Sequence, residues 1–113
     1  LYVLPSWAEG LSMAVLEAMA SGRPVVTTRP DAGMHDAVTD GETGLLTHYG
    51  NVEELGDAIQ LLLSSDSLRQ ALGSAAQKRV ETTFDWRLIG EQTAAVYRSV
   101  LRRHDARQPM RRS

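Results

Sequence analysis

Two short runs, Leu1-Tyr2-Val3-Leu4 and Pro24-Val25-Val26-Thr27-Thr28, are apolar or β-branched at nearly every position instead of at alternate ones. A strand with one wet face alternates apolar and polar residues, so a continuous run reads as a strand buried on both faces. Between the runs lies Leu11–Ala20, rich in Ala, Leu and Met, which favours helix. Pro5–Gly10 reads as a turn before that helix, and Ser21-Gly22 stops it, as a glycine just past a helix end does. Strand, helix, strand in this order implies a parallel pair in an α/β domain. The pattern continues with a loop holding Pro30 and Gly33, a helical turn over Met34–Val38, a turn at Asp40-Gly41 and a third strand at Gly44–Thr47. Three helices are expected after it. Asn51 caps one running to Leu63, with Leu55, Ala58, Ile59 and Leu62 on its apolar face. Asp66 opens the next, with Leu68, Leu72, Ala75, Ala76 and Val80 inward, and Asp85 opens the last, with Leu88, Ile89, Ala95, Val96 and Val100 inward. There is no internal repeat and no low-complexity linker. A doubly wound sheet has about six strands, and this chain opens directly into one at Leu1. The expectation is a fragment of a larger fold whose upstream half is missing.

Composition narrows the function. At 113 residues the chain is one domain at most, and 42 % apolar with 23 % charged residues is ordinary for a globular protein. A net charge of −2 argues against a disordered polyelectrolyte and gives no electrostatic case for a nucleic-acid binder. No stretch approaches the ~20 apolar residues of a membrane helix. Cysteine is absent, which excludes disulfides and thiolate metal sites. Charge is uneven: from Arg102 onward five Arg less Asp105 give +4, which leaves −6 for residues 1–101 of the chain's −2. Residues 1–101 are read as the partial domain, and 102–113 as a basic, solvated, disordered tail. The other reading of that tail is a patch for nucleic acid or an acidic membrane surface.

The chemistry-bearing residues cluster around the first helix. Ser12 and Glu17 are the only polar side chains between Leu11 and Ala20. A helix apolar all round is expected to be buried, and a carboxylate on it is costly unless paired or hydrogen-bonded. Glu17 is therefore read as facing a cleft, where it accepts hydrogen bonds from ligand hydroxyls. The plainer alternative is exposure at a sheet edge, or pairing with an Arg. Glu9 and Gly10 stand where the first strand hands over to the helix, at the carboxyl end of the sheet where open parallel sheets bind ligands. Free N–H groups at the helix start suit a phosphate, Gly10 lets a ligand approach the backbone, and Ser12 adds a hydroxyl. Glu9 beside a phosphate needs another partner, such as a sugar hydroxyl. The structural alternative is a capping box, Ser6-x-x-Glu9. His35, His48 and His104 have no metal-site spacing, and neither a Ser-His-Asp set nor a phosphate loop with Lys is present. Trp7 is read as packing in preference to sugar stacking, and Phe84 and Trp86 as core anchors of the last helix.

These residues are recognisable. Pro5-Ser6-Trp7-Ala8-Glu9-Gly10-Leu11-Ser12, followed by Glu17-Ala18-Met19-Ala20-Ser21-Gly22-Arg23-Pro24-Val25-Val26, resembles the donor-site signature of retaining glycosyltransferases of family 4, the group 1 glycosyltransferases. Their hallmark is two glutamates separated by seven residues, matched by Glu9 and Glu17. Ala32-Gly33-Met34-His35-Asp36 is similar to the family's Gly-Gly-x-x-Glu loop, with Ala for the first Gly and Asp for the Glu. Asp40–Leu46 and Phe84-Asp85-Trp86 resemble two later family segments, so the likeness covers residues 1–101. It implies a partial Rossmann-like parallel sheet with flanking helices, drawn from a two-domain B-type glycosyltransferase fold with the active site between the domains. The chain would be the latter half of the C-terminal, nucleotide-sugar-binding domain. By this resemblance Glu17 binds the donor ribose, Glu9 lies by the donor sugar as the catalytic-site acid, and the backbone at Gly10, Leu11 and Ser12 faces sugar and diphosphate. No metal or cofactor is implied; a nucleotide-diphosphate sugar is the donor substrate of a hexosyl-type transferase. The family's Arg and Lys that neutralise the diphosphate, and its N-terminal acceptor domain, are absent from this sequence. Arg23 and Arg29 do not occupy the positions of that basic pair, and Asp36 is one methylene shorter than the family's Glu. The isolated chain is accordingly expected to be inactive, with the apolar face of its last helix partly uncovered. Family members work in the cytoplasm or at the inner face of its membrane, which implies the same place, and peripheral membrane association, for the full enzyme. The alternative is a standalone, non-catalytic nucleotide-binding or assembly module. An unrelated Rossmann-like protein such as a nucleotide-sugar epimerase would not need this combination of segments.

Overall fold

The computed structural model describes residues 1–8, 10–29 and 37–107, with side chains described to residue 104. Its elements are β1 (Tyr2–Leu4), α1 (Met13–Ala20), β2 (Val25–Thr28), β3 (Gly44–Thr47), α2 (Val52–Ser64), α3 (Asp66–Thr83) and α4 (Trp86–Arg107). The chain divides into two units, Leu1–Thr82 and Thr83–Ser113.

In the first unit the three strands form one parallel sheet in the order β1-β2-β3. Tyr2 is in register with Val25, and Val25 in turn with Gly44. Successive strand residues face opposite sides of a sheet. Val25 and Val26 are both fully buried, so both faces of β2 are covered, as the continuous apolar run predicts. On one side Val26 packs with Leu62 of α2 and Leu72 of α3, and Val3, Leu45, Leu55, Ala58 and Leu68 close around them. The expected inward faces of α2 and α3 are therefore the ones that pack. Buried threonines on β2 are satisfied, as buried hydroxyls must be: Thr27 donates to the Leu4 carbonyl at 2.9 Å and Thr28 to the Ser6 carbonyl.

α1 lies against β1 and β2 and buries Val15, Leu16 and Met19. It begins two residues later than Leu11 because Ser12 holds extended dihedrals (φ −72°, ψ 118°) as the N-cap. Burial all round is not found: one stripe is covered, while Leu11 (44 %) and Met13 (48 %) stay exposed, as does Glu17. The helix ends in a Schellman turn. The Gly22 N–H donates to the Met19 carbonyl at 2.9 Å and the Arg23 N–H to that of Ala18 at 3.0 Å, with Gly22 at φ +67°. α3 closes directly on this turn, since a Cβ at Gly73 would land on the Gly22 carbonyl oxygen.

The turn into β3 is locked from several directions. Asp40 accepts the Leu46 N–H at 2.9 Å through one carboxylate oxygen and pairs with Arg29 at 2.6 Å through the other. Gly41 takes φ +77°, and a Cβ on Gly44 would meet the Val25 carbonyl oxygen at 2.7 Å. Of the helical turn expected over Met34–Val38, Ala37 and Val38 are described and buried; the rest lies outside the described residues, as does the whole Ala32–Asp36 segment.

α2 starts as expected at Asn51, whose side chain accepts the Glu54 N–H at 3.0 Å. Glu54 does not return the bond to its cap. Its carboxylate accepts instead from the His48 backbone N–H at 2.8 Å and contacts the His48 ring nitrogen Nδ1 at 2.9 Å. The His48 backbone bond, then the His48 ring, hold the Glu54 carboxyl below its ordinary pKa. At the next joint Arg69 of α3 donates to the Leu62 and Leu63 carbonyls at the end of α2.

The second unit is α4, opened as expected by Asp85, which accepts the Arg87 N–H at 2.9 Å. Phe84, Leu88 and Ile89 are half-buried. Trp86 is not a core anchor: it is 72 % exposed. Nor do Val96 and Val100 face inward, being 59 % and 56 % exposed, and Ala95 is exposed with them. A single helix has no second layer within its own unit on which to bury a stripe. The helix runs on to Arg107, so the stretch from Arg102 expected to leave the domain continues as helix before residues 108–113, which lie outside the description. Among the described residues no helix is long and apolar enough to cross a membrane.

Two helical glycines are expected to respond oppositely. A Cβ at Gly56 of α2 meets nothing within 4 Å, so Gly56→Ala is expected to stabilise by about 0.5–1 kcal/mol through helix propensity. Gly73→Ala is expected to cost about 2 kcal/mol because the methyl overlaps fixed backbone. Urea midpoints of the two variants check the sign. A carboxyl whose pKa is lowered by folding contributes stability above its unfolded pKa and loses it as pH falls through the folded value. Glu54→Gln is therefore expected to lower the midpoint at neutral pH, and the difference from the parent is expected to shrink below about pH 4.

Candidate functional site

Because the strands are parallel, the loops after Leu4, Thr28 and Thr47 all leave the same edge of the sheet. The first loop is pinned there by its own neighbours. The Thr28 hydroxyl holds the Ser6 carbonyl, and the Ser6 N–H donates to the Leu4 carbonyl at 3.0 Å. The third loop leaves β3 through His48, Tyr49 and Gly50 and enters α2 at Asn51. Trp7 and Tyr49 bridge the two loops, ring centroids 4.5 Å apart and planes at 85°. A cavity of about 230 Å³ lies beside this pair, lined by Pro5, Thr28, Thr47, Tyr49, Val52 and Leu55 among others.

The loop then delivers Gly10, Leu11 and Ser12 to the start of α1. The Leu16 N–H bonds the Ser12 carbonyl at 3.1 Å, closing the first turn. The Ser12 hydroxyl makes no cap bond, and the first turn holds no acidic residue. The N–H groups of that first turn have no partner within the helix, and they carry its partial positive charge. A Cβ on Gly10 would meet nothing within 4 Å, and its φ is not in the left-handed region. Neither packing nor dihedral among the described residues requires glycine there, and the backbone faces open space at the start of a helix. The capping-box alternative for Ser6 and Glu9 fails, since the N-cap position of α1 is Ser12 and the helix starts at Met13.

Glu17 sits five residues beyond Ser12, ~7.5 Å along the helix axis. It is exposed and lines a groove of about 530 Å³ with Leu1, Tyr2, Ala14, Ala18, Ser21 and Arg23. Among the described strands β1 is an end strand, and the groove lies beside it. The exposure of Glu17 is the plainer of the two sequence readings, and the groove it lines is where a ligand would have to meet it. The structure thus brings Gly10, Leu11 and Ser12 together at one helix end and sets Glu17 on the flank. Glu9 and Asp36 lie outside the described residues. Trp7 is 73 % exposed, against the expectation that it packs, because Tyr49 meets it edge-on and covers little of its face. Tyr49 was not legible as a site residue: it lies 42 positions from Trp7 with no motif joining them. Among the described residues no group of three or more His, Cys, Asp or Glu could hold a metal.

Comparison with known proteins identifies the family and the fold. The family model for group 1 glycosyl transferases matches residues 1–79. The capsular polysaccharide biosynthesis glycosyltransferase CapM of Staphylococcus aureus is 32 % identical over 106 residues, 94 % of this chain and 28 % of CapM. The D-inositol 3-phosphate glycosyltransferase of Kribbella flavida is 36 % identical over 96 residues, 85 % of this chain and 22 % of that enzyme. Among solved structures, sucrose-phosphate synthase from Thermosynechococcus elongatus superposes with a TM-score of 0.82 at 33 % identity, covering 88 % of this chain and 25 % of the synthase. Anabaena HepE in complex with UDP gives 0.81 at 28 % identity, covering 86 % and 27 %. The chain spans about a quarter of the length of the curated relatives it matches. A family model matched over residues 1–79, with relatives such as these and a three-stranded parallel sheet that superposes on theirs, places the chain in the group 1 glycosyltransferase family.

Proposed function

We propose that this chain is the donor-binding part of a retaining, family 4 type glycosyltransferase that moves a sugar from a nucleotide-diphosphate donor to an acceptor. The observation that carries the reading is the start of α1: amides without a side-chain cap, no acid in the first turn, and open space at Gly10. A diphosphate bound there is met by backbone N–H groups and the helix dipole. In the reaction the bond from the anomeric carbon to the diphosphate oxygen breaks, the acceptor oxygen bonds to that carbon from the same face, and the acceptor hydroxyl's proton passes to the departing diphosphate. The charge left on the departing diphosphate is what the site must stabilise. Amides at Gly10, Leu11 and Ser12 supply part of that stabilisation, and basic side chains elsewhere in the complete protein supply the rest. Glu17, one and a half turns along, accepts the ribose hydroxyls, and Glu9 orients the donor sugar without acting as a covalent nucleophile. HepE, solved in complex with UDP and with UDP-glucose, is a relative whose ligands fit this reading. The acceptor domain lies in the remainder of the full-length protein, and the reaction takes place on the cytoplasmic side, where nucleotide sugars are made. A standalone binding module is the weaker reading, since the relatives that match are glycosyltransferases.

In the full-length enzyme Glu17→Ala is expected to raise the donor KM by about tenfold with a smaller change in kcat, as loss of ground-state binding does. An unchanged donor KM sinks the ribose role. Gly10→Val separates site from scaffold. Its melting temperature is expected to stay within about 2 °C of the parent, since the side chain enters open space. Its donor KM is expected to rise because that space is where the diphosphate sits.

A further inference from the structure

The geometry points to Trp7 as a stacking platform for a pyranose ring, with Tyr49 as its positioning residue; this deepens the donor-site reading and rests on it. Trp7 is 73 % exposed and Tyr49 51 %. Yet neither ring is loose. They meet edge-to-face at 4.5 Å and 85°, a favourable aromatic geometry. Each also stands on a hydrogen-bonded loop. The residue before Trp7 is held by Thr28, whose hydroxyl bonds the Ser6 carbonyl. The residue before Tyr49 is held by Glu54, which accepts the His48 N–H at 2.8 Å. The result is a large flat apolar surface, fixed in orientation and open to solvent. A pyranose offers the complementary surface: polarised C–H groups on one face, attracted to the π cloud, with hydroxyls around the rim that stay hydrated or find polar partners.

Position selects a sugar over other apolar ligands. Trp7 precedes Gly10 by three residues, at most ~10 Å of extended chain. The platform therefore lies within ~10 Å of the amides proposed to hold the diphosphate, close enough for one ligand to reach both. Three side-chain oxygens around the neighbouring cavity are already engaged, Thr28 with Ser6, Thr47 with the Thr27 carbonyl and Asn51 with Glu54. Pro5, Val52 and Leu55 line it with them, so that wall offers mainly apolar surface beside Tyr49. The ring stacked there comes from the donor or from the acceptor, and the test separates the two.

The experiment is fluorine NMR of the full-length protein labelled with fluorotryptophan, the Trp7 signal being the one lost in Trp7→Phe. The titrants are UDP, GDP and ADP, their glucose and mannose conjugates, and methyl glucoside and mannoside. A Trp7 signal that moves with the conjugate supporting turnover, and not with its bare nucleotide, establishes a donor-sugar platform. Movement with a methyl hexoside alone establishes an acceptor platform. Kinetics supply the second readout. Trp7→Ala is expected to raise the KM of the same sugar-bearing substrate by about tenfold, with Phe rescuing it to within about threefold. Tyr49→Ala is expected to shift that KM in the same direction by less, and affinity for the bare nucleotide is expected not to change in either variant. A Trp7 signal that no sugar moves, whether the ring is free or already packed against the rest of the polypeptide, overturns the platform while leaving the donor site intact. Failure of the parent protein to bind any nucleotide overturns the donor-site reading, and the platform with it.

Discussion

β2 has no face left for water. Val25 and Val26 point to opposite sides and are both fully buried, and Thr27 and Thr28 are nearly so. Once both sides are covered, the hydroxyls on this strand must find partners in the protein. They find them on the neighbouring backbone, at Leu4 and Ser6, where β1 gives way to the loop. Covering β2 therefore also fixes the start of the loop that leads to Gly10 and Ser12. The packing of the core and the position of the proposed ligand amides are two results of one burial.

Where the elements pack locally, the sequence was readable. The unbroken apolar runs became parallel strands, β3 fell on Gly44–Thr47, and the apolar stripe of α2 met the sheet as drawn. Helix starts at Asn51 and Asp85 were legible because capping is a local hydrogen bond between near neighbours. Errors arose where burial depends on what lies opposite. Trp86, Val96 and Val100 carry the composition of a core face, but an apolar side chain is buried only if a second surface arrives. The same limit explains α1, apolar on every side in sequence and covered on one stripe in the fold.

The site shows a similar division. Gly10, Ser12 and Glu17 could be singled out because each breaks the local pattern: a glycine and a hydroxyl at a helix start, and an acid in an apolar helix. What could not be read were contacts made across the sheet. Tyr49 reaches Trp7 from the far side of β2, and Glu54 turns from its own cap to the strand end at His48. These are second-layer choices that set the orientation of the loops, and no short spacing encodes them.

The order of the strands has a consequence for how such a chain is made. β1, β2 and β3 neighbour one another in the same sequence in which they are synthesised. Their registered partners are 23 and 19 residues apart, Tyr2 with Val25 and Val25 with Gly44. Each strand can dock on the previous one as it emerges, with modest loop closure at every step. It also means that the covered centre, β2, is completed only when α2 and α3 have left the ribosome, so the nascent sheet stays half-dressed through the synthesis of at least the next 36 residues, from Thr47 to Thr83.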